Sequence, residues 1–128
     1  MTNLKNSSSK LSDTKQESTI QKEILLEFGA RQDMRIWRQN TGALKIDDRF
    51  IRFGVPGQAD ITGLLIPSGR RLEIEVKKLK GAQRESQKNF EKMITKSGGV
   101  YITARSVEEV YTKLYTFLWD NIPQKNKC

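Results

Sequence analysis

The sequence predicts an α/β domain in which a mixed central β-sheet is flanked by helices. Three observations predict it. The hydrophobic period switches several times between the helical repeat and the strand repeat. The resulting order is helix, strands, helix, strand, helix, which suits helices layered on a sheet. The step from Arg71–Lys77 through a helix to Val100 calls for a parallel, right-handed crossover.

Each element has its own signal. Glu17 to Phe28 reads as a helix, because Ile20, Ile24, Leu25 and Phe28 share one arc, and Gly29 stops it. Met34 to Gln39 reads as a strand ending in the turn Asn40-Thr41-Gly42. Lys45-Ile46 and Arg49 to Phe53 read as a ribbon folded at Asp47-Asp48, followed by the loop Gly54 to Gly57. Asp60 to Ile66 and Arg71 to Lys77 are strands joined by the turn Pro67-Ser68-Gly69-Arg70. Gln83 to Lys96 is a helix with Phe90, Met93 and Ile94 inward, closed by Gly98-Gly99. Val100 to Ala104 is a buried strand. Ser106 to Asn121 is a last helix, opened by Ser106 with Glu109 three residues on, a capping box. Phe117, Trp119 and Tyr115 on this helix suit core packing better than an interface.

The chain has 128 residues, enough for one domain with one core. That domain is expected over residues 17–121. Residues 1–16 carry hardly an apolar side chain and read as a disordered polar arm, and residues 122–128 as a polar tail. Lys and Arg number 23 against 15 Asp and Glu, a net charge of +8, which serves solubility or a polyanionic partner. Cys128 is the single cysteine, so no intrachain disulfide forms, as suits a reducing compartment. The N-terminus has no apolar run of a signal peptide, and no stretch approaches a membrane span. An intracellular, cytoplasmic protein is the expectation. With no histidine, Ser-His and Cys-His nucleophile pairs and His-based metal sites are excluded. Hydrolytic chemistry would have to run on carboxylates, lysine and a hard metal.

Such groups meet on the expected hairpin. Alternate strand residues share a face, so Leu72, Ile74 and Val76 point one way and Glu73, Glu75 and Lys77 the other. The turn folds the preceding strand back, which brings Asp60 near Glu75 to Lys77. Taken alone, these residues suit equally a solvated polar face with a cross-strand ion pair. The first helix adds weight to a site. Glu17 falls near the middle of its apolar arc, with Glu27 close and Glu23 at the edge, giving three candidate carboxylates. An inward carboxylate costs several kcal/mol of desolvation unless a cation or its waters satisfy it. Alternatively Glu17 is simply a wet first-turn residue helped by the helix dipole. Gln87 shares the inward face of the second helix, where it would cap backbone, hold another side chain or orient a water.

Here the chain resembles a known family. Glu17-x-x-Ile20-Gln21-x-x-Ile24, Trp37-Arg38-Gln39-Asn40-Thr41-Gly42, Arg52-Phe53-Gly54-x-x-Gly57-x-x-Asp60, Glu75-Val76-Lys77-Lys78, Gln87, Gly98-Gly99-Val100 and Ala104-Arg105-Ser106-Val107-Glu108-Glu109-Val110 occur in order. Together they are similar to the VRR-NUC family of the PD-(D/E)xK nuclease superfamily. The resemblance implies a restriction-endonuclease-like core and a Mg²⁺- or Mn²⁺-dependent endonuclease. Asp60, Glu75 and the Val76 carbonyl would ligate the metal, with Glu17 reaching it directly or through water. Lys77 would orient or deprotonate the attacking water, or stabilise charge on the phosphate, and Gln87 would complete the pocket. Whether one or two ions act stays open. Two positions depart from the family pattern. Ala59 stands where Pro is frequent, and Arg84 where Ser or Thr often caps the helix before Gln87.

The cations flank that site. Arg38, Lys45, Arg49 and Arg52 precede it and Lys78, Lys80 and Arg84 follow it, with Asn40 in the intervening turn. Taken singly each is an ordinary surface residue; as a cluster they suit a groove that tracks a nucleic-acid backbone. No base-reading motif is present, so recognition of shape is expected. Stand-alone members of the family resemble homodimers that nick branched DNA such as four-way junctions, and this is the function the resemblance implies. The alternatives are a nicking, restriction-type or RNA-directed nuclease, a non-cleaving DNA-binding module on the same fold, and a structural accessory protein.

Overall fold

The computed structural model describes residues 15–40 and 42–120. The arm expected before residue 15, the C-terminal tail, Thr41 and the side chains of Phe117 and Trp119 lie outside the described residues. In chain order the elements are α1 (Glu17–Gly29), β1 (Met34–Arg38), β2 (Gly42–Ile46), β3 (Arg49–Phe53), β4 (Ile61–Leu65), β5 (Arg71–Val76), α2 (Glu85–Lys96), β6 (Val100–Ala104) and α3 (Val107–Asp120). Four strands form a mixed sheet in the order β1-β4-β5-β6. The first two pairings are antiparallel, and β5 runs parallel to β6 across the α2 crossover. The ribbon β2–β3 stands apart as a two-stranded sheet.

Side-chain alternation assigns the two faces. Leu72, Ile74 and Val76 of β5 register with Val100, Ile102 and Ala104 of β6, and all six are buried. Against them pack Ile20, Ile24 and Phe28 from α1 and Val110 and Leu114 from α3. Burying one such aliphatic side chain stabilises by about 1.5–3 kcal/mol. The opposite face carries Glu73, Glu75 and Tyr101. Helix α2 covers it, with Phe90 edge-on to Tyr101 at a centroid separation of 6.3 Å.

Several expectations are corrected. Met93 is half exposed rather than inward. The buried stripe of α2 is Gln87, Phe90 and Ile94, and Met93 sits about 90° around the helix from its middle. The helix opens at Glu85, because Arg84 is extended (φ −79°, ψ 162°). Gly42 opens β2 instead of belonging to the turn. Tyr115 does not pack in the core. It is exposed, stacks on Tyr111 at 5.5 Å and lies beneath the Arg31 guanidinium. The box at α3 is half as expected. Ser106 Oγ accepts from the Glu109 amide, but Glu109 turns back to the Arg105 amide. No helix among the described residues is long and apolar enough to cross a membrane.

Candidate active site

The site grows from one row of the sheet. Ile61 registers with Ile74, so one step further Asp60 stands opposite Glu75, on the face away from α1. The Gln39 amide fixes the Asp60 carbonyl at 2.8 Å, extending the β1 edge to the same level. Asp60 Oδ2 accepts the Val76 N–H at 2.8 Å, which ties the carboxylate to the end of β5. Val76 is fully buried on the core side and meets the site through its main chain. Lys77 follows, its amide held by the Ala104 carbonyl at 3.0 Å. Its Nζ lies 3.6 Å from Glu75 Oε1.

A solvated polar face is ruled out. Glu75 is 3% exposed, Lys77 7% and Glu73 0%. Gln87, also buried, donates from Nε2 to Glu75 Oε1 at 2.6 Å and accepts the Arg84 amide at 2.8 Å. It therefore caps the backbone and holds a side chain at once. The Arg84 side chain makes no cap hydrogen bond, so Gln87 alone closes this helix end.

The charges in the site oppose one another. Burial pushes the Glu75 carboxyl up to about 7, with the neighbouring Asp60 charge adding and Lys77 opposing. Burial also raises Asp60, offset in part by the Val76 N–H and increased by Glu17. Glu75 Oε2 is buried with no hydrogen-bond partner. An unsatisfied buried carboxylate oxygen is costly, and a hard divalent cation is a ligand that Glu75 together with the part-buried Asp60 fits; Glu73 Oε2 is likewise buried without a partner. Among the described residues no third Asp, Glu or Cys completes a close three-membered group. Mg²⁺ is commonly held by one or two carboxylates and several waters, so the pair suffices.

Of the three helix carboxylates, Glu17 alone turns to this site. Its Oε1 accepts from the Lys78 amide at 3.4 Å, and its charge raises both Asp60 and Glu75. Glu23 pairs with Lys15 at 2.5 Å, and Glu27 accepts from the Tyr111 hydroxyl at 2.7 Å. Glu17 is engaged with the Lys78 amide and, among the described residues, forms no close three-membered group with Asp60 and Glu75.

The basic candidates divide. Arg52 and Arg84 line a common cavity with Gln87. Lys45 lies over the Phe50 ring at 5.9 Å, and Arg49 is exposed at the tip of the ribbon. Lys78 and Lys80 are exposed just past Lys77, and Asn40 is exposed after β1. Arg38 registers with Ile61, so it sits on the opposite face of the sheet from Glu75. Two further buried groups share the Glu75 face: Glu73, whose face the sequence assigned but whose burial it did not, and the Tyr101 hydroxyl, which sequence reasoning missed. Glu73 is held by Thr62 at 3.1 Å and Arg71 at 2.6 Å. The Tyr101 hydroxyl is buried without a partner, and burial pushes its pKa up, with Glu75 adding. Alternation identified the face of Glu73 but not what covers it, and the face of Tyr101 follows from its register with Glu73. No family model matches the chain, and no curated protein is similar to it at a significant level.

Proposed function

We propose that the protein is a Mg²⁺- or Mn²⁺-dependent endonuclease hydrolysing DNA phosphodiesters, selective for branched structure, on a restriction-endonuclease-like core. One observation carries this reading. A buried carboxylate, Glu75, and a part-buried one, Asp60, which raises the Glu75 pKa, share one end of the sheet with Lys77 Nζ 3.6 Å from Glu75. A pure binding surface has no use for that combination, which raises the free energy of the fold and gains nothing from it.

Asp60 and Glu75 would hold the cation, with the Val76 carbonyl as a further oxygen donor and Glu17 acting through water. When bound, the cation stabilises charge developing on the phosphate and makes water more acidic. The chain's own groups do the rest. The Val76 N–H fixes Asp60, and Gln87 fixes Glu75, so neither carboxylate has to reorganise during reaction. Lys77 orients the attacking water or steadies a phosphate oxygen. Water adds to phosphorus, the bond to the leaving sugar oxygen breaks, and that oxygen takes a proton. Two copies related by a two-fold axis suit a two-fold-symmetric junction, and light scattering of the purified protein tests whether the homodimer forms.

The decisive experiment incubates the protein with four-way junction, flap, duplex and single-stranded DNA, and with RNA, with and without Mn²⁺. Metal-dependent cleavage is expected, greatest on branched DNA. Lys77→Ala is expected to lower the rate by at least ~10²-fold, the lower bound for a positioned proton-transfer group, with DNA affinity largely kept. A Lys77→Ala protein that cuts as fast as wild type sinks the site. A wild-type protein inert on every substrate leaves a non-cleaving nucleic-acid-binding module.

A further inference from the structure

Beside the carboxylates is a half-open cavity of about 380 Å³, between the end of β3 and the first turn of α2. It shares one wall with the site: Gln87, which donates to Glu75, also lines the cavity. Two features of its lining go together. Arg52 and Arg84 bring exposed guanidinium groups, and among the described residues neither has an ion-pair or hydrogen-bond partner for its side chain. Phe53, Val55 and Pro56 supply an exposed apolar wall. The cavity is built in by Gly57. Its φ is +81°, and a Cβ there would stand 2.0 Å from the Ser86 carbonyl oxygen, so the loop lies directly on α2.

We propose that this cavity is a subsite for one unpaired nucleotide of the strand being cut, adjoining the reacting phosphodiester. Two forked guanidiniums suit one phosphate. The volume is at the small end of the roughly 300–1,000 Å³ typical of ligand pockets, more than a phosphate alone needs. The apolar wall accounts for the remainder, since Phe53 offers a ring on which a base can stack. A base inside a regular duplex has no free face to present there, so the ligand is a nucleotide at a branch, flap or gap. The helix end contributes little, because Gln87 already takes the Arg84 amide. That the bound strand is the one cut rests on the nuclease reading; the nucleotide site itself does not.

Binding of fluorescein-labelled oligothymidylate and of a blunt duplex, followed by anisotropy in EDTA over a salt series, tests this without hydrolysis. Wild type is expected to prefer oligothymidylate. Arg52→Ala/Arg84→Ala is expected to weaken its binding at least ~10-fold and to flatten the log–log salt slope by about 0.7, one single-strand phosphate contact. Phe53→Ala is expected to weaken it by roughly 5–150-fold, the range for one lost stack, with the slope unchanged. Thermal melts check that each variant is folded; all three side chains are exposed, so folding is expected to persist. Lys22→Ala/Lys96→Ala removes two exposed charges elsewhere as the comparison. The proposal is overturned if the arginine pair matters no more than that control, or if Phe53→Ala leaves oligothymidylate affinity unchanged. Losses as expected alongside a fully active Lys77→Ala would keep the subsite and remove the assigned catalytic centre.

Discussion

At the scale of single residues, the same buried groups that suit hydrolysis oppose folding. Glu75 keeps its proton to about pH 7 in the folded protein but releases it near 4.5 when unfolded. Between those values the folded state binds more protons, so stability of the metal-free protein falls as pH rises through that window. Asp60 and Glu73, both raised by burial, add in the same direction. The expected loss is on the order of 3 kcal/mol or more, measured by urea unfolding in EDTA across the window. Mn²⁺ is expected to cancel it above neutrality, since the cation needs the ionised carboxylates. Glu75→Gln is expected to stabilise the metal-free protein at alkaline pH while abolishing Mn²⁺ binding by calorimetry. A variant that loses stability there would show that Gln87 and Lys77 more than offset the burial of the charge. Alternation in the sequence sorted Glu73 and Glu75 onto one face. It did not reveal their burial, because the covering helix α2 lies later in the chain and its packing is a tertiary fact.

Among elements, Gly57 in the loop after β3 contrasts with Gly69 in the turn between β4 and β5. Gly57 and Gly69 both have positive φ, +81° and +76°, but only Gly57 faces backbone, at Ser86. Gly69→Ala is expected to cost about 1 kcal/mol from its left-handed backbone, and Gly57→Ala at least ~3 kcal/mol, because the loop must also leave α2. Denaturant midpoints of the two proteins check this, and equal losses would mean that the loop gives way freely. Element types were readable from periodicity, and the carboxylate of α1 was narrowed to three residues. The family resemblance singled out Glu17, and the fold engages the other two elsewhere: Lys15 takes Glu23, and Tyr111 takes Glu27. The opening of α2 was misplaced by two residues because the stop is set by the extended backbone at Arg84, which no side-chain cap announces.

For the whole molecule, the core was legible because α1, β4, β5, β6 and α3 bury one continuous set of aliphatic side chains. The place of β2–β3 was not, since a short amphipathic ribbon can join a sheet edge or stand free. Here it stands free. Leu44 pairs with Ile51 and Ile46 with Arg49, and all but the arginine are half-exposed apolar groups on one side of the ribbon. An isolated two-stranded hairpin is marginal in water. Local opening is therefore expected to begin there, far below the free energy that unfolds the four-stranded sheet. Its amides are expected to exchange with deuterium first among the strands, and a protease at low dose to cleave near Asp47 while leaving the central sheet whole. The ribbon is thus the part of the fold whose loss is expected to leave the hydrogen bonding of the four-stranded sheet complete.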